Sequence, residues 1–123
     1  MTTPAEIGQS FIQHYYKTFD TDRAAIAALY LEQSQLTFEG ATFTGRANIA
    51  KKITELPFKT IQHVITTVDI QVTLQNSILV FVVGQLKTDD DPPHGFSQTF
   101  LLGQVGTSIF VANDCFRLQL HHQ

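Results

Sequence analysis

Tryptophan is absent from this 123-residue chain, cysteine occurs once, and charge of neither sign dominates. Each shortage excludes a class of protein. Cys115 stands alone and can form no intrachain disulfide, so stability has to come from packing. Eight Lys and Arg against eleven Asp and Glu leave a net charge of -3, without the basic patch that phosphate backbones require, and nucleic acid is not an expected partner. No apolar run approaches the roughly 20 residues that span a bilayer, because even 78–86 is interrupted by Gly84 and Gln85. The chain opens without the basic-then-apolar pattern of a secretory signal. A soluble protein in a reducing, intracellular compartment, with no membrane partner, is expected.

What is present is aromatic. Ten Phe within a 43% hydrophobic composition supply the core of one domain, 1–123, at about 1.5–3 kcal/mol for each fully buried ring. "TPAE" predicts a helix start, with Thr3 capping, Pro4 in the first turn and Glu6 closing a capping box. Ile7, Phe11 and Tyr15 then mark one face. "FDTDR" breaks this helix, and Asp20 or Thr21 caps a second, Ala-rich one over "RAAIAALYL". "LTFEGATFTG" reads as two short strands around a turn, and Thr44 caps a third helix that Pro57 stops.

From residue 59 the period changes to two. "KTIQHVITTVDIQVTL", "SILVFVVGQLK", "FSQTFLLGQV" and "SIFVANDCFRLQL" predict four long antiparallel strands. Three helices in the N-terminal half followed by such a meander make an α+β domain: helices on one face of a strongly bent, mainly antiparallel sheet, forming a cone with an apolar cavity. On the last strand Ile109, Val111 and Cys115 alternate with Phe110, Phe116, Leu118 and Leu120. In "ILVFVV" both parities are apolar, so a second copy of the chain is expected to cover the free sheet face as a homodimer.

"LKTDDDPPHG", 86–95, is the one concentrated charge. By itself it reads as a solvated turn. A calcium loop would alternate its acids, and no His pair supplies transition-metal geometry, so no metal and no other cofactor are expected. A catalytic reading would need a buried base, and Asp114 is the one obvious carboxylate of cavity parity; it is expected to hydrogen-bond within the fold instead. Cys115 has no neighbouring base to activate it.

"FIQHYYKTFDTDR", "LTFEG", "ELPFKTIQH", "VVGQLKTDDDP", "GFSQTFLL" and "NDCFRLQLH" together resemble the nuclear transport factor 2 family, in order and spacing, over essentially the whole chain. The resemblance implies a carrier with no enzymatic activity. It would bind the GDP form of the small GTPase Ran and the Phe-Gly repeats of nucleoporins, importing Ran from cytoplasm to nucleus and concentrating at the nuclear pore. It implies an acidic Ran-binding rim of Glu39, Asp89 and Asp91; Asp90, whose side chain points the other way if the strand continues that far, is expected to be solvated and dispensable. Phe38, Leu56, Ile61, His63, His94, Phe116 and Leu118 would line a cavity for an aromatic side chain of Ran. Phe81, Cys115 and Arg117 would lie in the dimer interface. At the first helix, where the family commonly has an aromatic residue, this chain has "TTPAEI", leaving Ile7 for the Phe-Gly repeats. The alternatives are a module for peptides of scaffold proteins and a small isomerase or dehydratase on the same cone.

Overall fold

The computed structural model describes residues 3–119. Helix α1, Pro4–Thr21, starts as its sequence dictates: Thr3 accepts from the Glu6 amide and Glu6 reaches back to Thr3. It runs through "FDT" and ends later than expected. Neither proposed cap of the next helix caps it, because the Asp20 carboxylate is bound to His63 and the Thr21 hydroxyl donates back to the Lys17 carbonyl. The Ala-rich segment is consequently a 3₁₀ helix, Arg23–Leu29, with no side-chain cap at Asp22. Tyr30 and Leu31 already belong to strand β1, Tyr30–Phe38, which is longer than expected. Strand β2, Ala41–Thr44, returns beside it, and helix α2, Arg46–Thr54, starts from Gly45 at φ 93° rather than from a Thr44 cap.

Strands β3 (Ile61–Val72), β4 (Ile78–Thr88), β5 (His94–Val105) and β6 (Ser108–Leu118) form the antiparallel meander. The open, six-stranded sheet has the order β2-β1-β6-β5-β4-β3. It is mixed, because β1 lies parallel to β6, with Leu36 opposite Asp114 and Phe38 opposite Phe116. The inner face packs on α1: Phe11, Ile12, Tyr15, Tyr16 and Phe19 meet Val80, Val82, Phe96, Phe100 and Val111 in one core. Where β3 shifts register between Ile65 and Thr67, β4 carries Gly84. A Cβ there would stand 2.4 Å from the Val64 carbonyl oxygen, so only glycine admits this close approach of the strands.

A second register shift corrects the parity expected of β6. Leu101 pairs with Asn113 but Leu102 with Val111, leaving Ala112 as an extra residue. This bulge turns Val111 to the buried face with Asp114 and Phe116, rather than to the face of Cys115. Leu120 lies outside the described residues. Among the described residues no helix is long and apolar enough to cross a membrane.

Candidate functional site

A cavity of about 320 Å³ opens between α1, α2 and the inner sheet face. Phe38, Leu56, Ile61 and His63 line it, together with His94, Phe116 and Leu118. The aromatic wall is built by strand register. Phe38 on β1 stacks on its ladder partner Phe116 with centroids 4.7 Å apart, and Phe116 stacks in turn on Phe96 at 5.6 Å. Lys52 of α2 covers the outside of this stack, its ammonium 5.1 Å from the Phe38 ring and 5.5 Å from that of Phe43. Sequence reasoning did not single out Lys52, whose contact depends on how α2 folds back over β1 and β2.

His63 is held from two sides. Its ring packs among Tyr16, Phe19 and Phe96, and its Nδ1 lies 2.6 Å from Asp20 Oδ1. The other Asp20 oxygen accepts the His63 main-chain N–H at 3.0 Å. One carboxylate thus fixes both the backbone and the ring of a cavity residue and pins the end of α1 to β3. The sequence shows no trace of this pair, since Asp20 and His63 lie on different elements. Phe58 was also missed. It joins the wall beside Leu56 and Pro57, with the Arg23 guanidinium 4.3 Å above its ring and donating to its carbonyl.

Under the cavity lies a buried polar cluster. Asp114 Oδ2 accepts from Tyr30 at 2.6 Å and Tyr15 at 3.3 Å, and Oδ1 accepts from Gln98 Nε2 at 2.8 Å. Tyr16 donates to Gln98 Oε1 at 2.6 Å. Burial raises the Asp114 carboxyl to about 6, against the lowering effect of its three donors. The hydroxyls of Tyr15, Tyr16 and Tyr30 are pushed well above their ordinary range, first by burial and then by neighbouring negative charge. Asp114 is a satisfied internal acceptor with no oxygen left over for general-base work.

At the mouth the acids differ. Asp91 lines the cavity. Asp90 is exposed and is not among the lining residues. Asp89, at φ 48°, turns its carboxylate onto the loop before β3, where Oδ1 accepts the amides of Lys59 at 3.0 Å and Thr60 at 2.9 Å. These bonds, the Thr60 amide first, hold its carboxyl below the usual value. Glu39, at φ 52°, accepts the Leu118 amide across the β1–β6 ladder. No group of three or more His, Cys, Asp and Glu with metal-holding geometry occurs among the described residues.

The remaining candidates lie elsewhere. Phe81 is 41% exposed on the outer sheet face, in one cross-strand row with Thr99 and Cys115. Arg117 lies on that face too, its guanidinium over Gly40, where a Cβ would come within 3.2 Å. Ile7 borders a separate groove with Phe11, Leu29, Ile109 and Phe110, between α1, the 3₁₀ helix and the start of β6.

Comparison with known proteins converges on one group. The nuclear transport factor 2 (NTF2) domain family matches residues 7–118. Nuclear transport factor 2 of Oryza sativa subsp. japonica is 48% identical over 114 residues, 91% of this chain and 93% of its own. That of Saccharomyces cerevisiae is 44% identical over 91% of each chain. The solved nuclear transport factor 2 of Cryptosporidium parvum superposes with a TM-score of 0.90 at 45% identity, covering 94% of both chains.

Proposed function

The chain belongs to the nuclear transport factor 2 family, and from that membership we propose that it carries the GDP form of Ran into the nucleus through contacts with Phe-Gly repeat nucleoporins. It is a nuclear transport factor, and its curated relatives of that name are transport factors rather than enzymes. Its work is nucleocytoplasmic; concentration at the nuclear pore belongs to the proposal.

The observation that carries the Ran reading is the cavity with Asp91 and His94 at its edge. Burying one aromatic side chain there contributes about 1.5–3 kcal/mol, whereas an exposed ion pair contributes about 0–1 kcal/mol. The cavity therefore holds the partner. Glu39, Asp89 and Asp91 form an acidic rim that orients a basic surface and speeds its arrival. The chain acts as one domain and pairs with a second copy through the outer sheet face, where Leu79, Phe81, Leu101 and Cys115 leave an apolar stripe. The groove beside Ile7 is the contact assigned to Phe-Gly repeats.

A titration against Ran in both nucleotide states tests the reading. Preference for the GDP form is expected, with Asp91→Asn weakening binding about two- to fivefold, as loss of an exposed ion pair would, while the dimer persists. Equal affinity for the two states, or full binding by Asp91→Asn, would count against it. An isomerase or dehydratase role lacks its base, since Asp114 is committed to three internal donors.

A further inference from the structure

Arg23 and Arg46 each donate to a main-chain carbonyl on another element, yet only one of them has an acid. Arg46 Nε donates to the Tyr30 carbonyl at 2.8 Å, and its guanidinium lies 3.6 Å from the Glu32 carboxylate. Arg23 has no carboxylate within ion-pair distance among the described residues. Its Nη2 donates to the Phe58 carbonyl at 3.0 Å, its Cζ stands 4.3 Å from the centre of the Phe58 ring, and its Nη1 is buried without a partner. A guanidinium with a buried N–H unmet is a poor source of stability, because the desolvated donor offsets the bonds that are made. What Arg23 does supply is a grip on one residue from two directions.

Phe58 is placed to need that grip. It lies between the end of α2 at Thr54 and the start of β3 at Ile61, in a stretch that is neither helix nor strand. Its amide donates only locally, to the Leu56 carbonyl at 2.9 Å. Leu56, Pro57 and Phe58 line the cavity in succession, whereas Arg23 does not line it. Arg23 ties this stretch to the start of the 3₁₀ helix, 35 residues earlier.

We infer that Arg23 is a positioning residue for partner binding: by clamping the Phe58 ring and carbonyl together it holds the Leu56–Phe58 wall in place and sets the shape that an incoming aromatic side chain meets. The inference rests on the Ran reading above. It also accounts for the unmet N–H, since a fork that holds ring and carbonyl at once requires a guanidinium and leaves one arm over.

Arg23→Met keeps an unbranched side chain over the ring and removes every donor. Its urea midpoint should stay close to that of wild type, because the lost bond and the removed orphan donor offset each other. In titrations of the full chain with GDP-bound Ran, binding should nonetheless weaken about fivefold. Phe58→Leu removes the ring and should weaken binding by a similar factor, and the double variant should fall within about twofold of the weaker single variant. In the free protein, amide exchange at Phe58 should quicken at least about threefold in Arg23→Met. A clear fall in the midpoint alongside the weaker binding would make Arg23 a structural residue and overturn the inference. Undisturbed binding by Arg23→Met would overturn it too, as would losses that multiply in the double variant to about 25-fold, since Arg23 would then act otherwise than through Phe58. If wild type itself does not bind GDP-bound Ran, the carrier reading falls, while Phe58 exchange still decides whether the clamp exists.

Discussion

Asp114 and Asp89 are the same amino acid in opposite surroundings, one sealed beneath the cavity and the other in solvent at its rim. Burial dominates at Asp114 and raises its carboxyl to about 6, although three donors pull the other way. Hydrogen bonding dominates at Asp89 and lowers its carboxyl. Both groups are fully engaged, yet folding favours the protonated form of one and the ionised form of the other. Acidity in this protein follows water access first and donor count second.

The strongest challenge to the comparison is Asp114→Ala, which leaves the Tyr15, Tyr30 and Gln98 donors without their acceptor. Urea unfolding near neutral pH should show a loss of about 3–5 kcal/mol, and a loss comparable to that of Asp89→Gly would erase the distinction between floor and rim. The next effect is the pH profile. Because the Asp114 carboxyl is raised in the folded state from 3.8 to about 6, its contribution is full below about pH 4 and is lost as pH rises through about 6, an interval worth about 3 kcal/mol. Wild type should therefore gain on Asp114→Asn as unfolding is followed from neutral pH down to about 4; parallel profiles would contradict the raised carboxyl.

Tyr30→Phe sharpens the same contrast. It keeps the ring and removes the 2.6 Å donor, so a loss of about 1–2 kcal/mol is expected, with the Asp114 carboxyl moving further up in a direct NMR titration. An unmoved carboxyl would mean that the hydroxyl contributes nothing to the balance. Asp89→Asn should change stability least, leaving the midpoint of the same urea assay close to that of wild type. Its sign runs opposite to that of Asp114: the Asp89 contribution is present above its ordinary value and disappears as pH falls through the lowered one.

The features written in local periodicity were legible in the sequence. The capping box at Thr3, the period-four face of α1 and the alternation of β4 and β5 each follow from a few adjacent residues, and the structure has all three. Asp114 was legible as an internal acceptor because its parity on β6 matches that of Phe116. What escaped depends on distance in sequence. Nothing near Asp20 announces His63, and nothing in "KTDDDP" indicates that the amides of Lys59 and Thr60 approach Asp89 from another loop. The bulge at Ala112 escaped for a different reason, since it breaks the alternation from which faces are read. The resemblance to a family pointed to three acids, of which Asp91 lines the cavity, while the main-chain bonds that engage Asp89 and Glu39 come from residues distant in sequence.

The parallel pairing of β1 with β6 has a consequence for how the protein comes into being. Strand β1 ends at Phe38, but its ladder partners run from Val111 to Phe116. A chain emerging from the ribosome therefore cannot complete the ladder of β1 until residues 111–116 have been made. Tyr15 and Tyr30 likewise await their shared acceptor on β6. The N-terminal half and the meander thus depend on one another through contacts of high sequence separation made by β6.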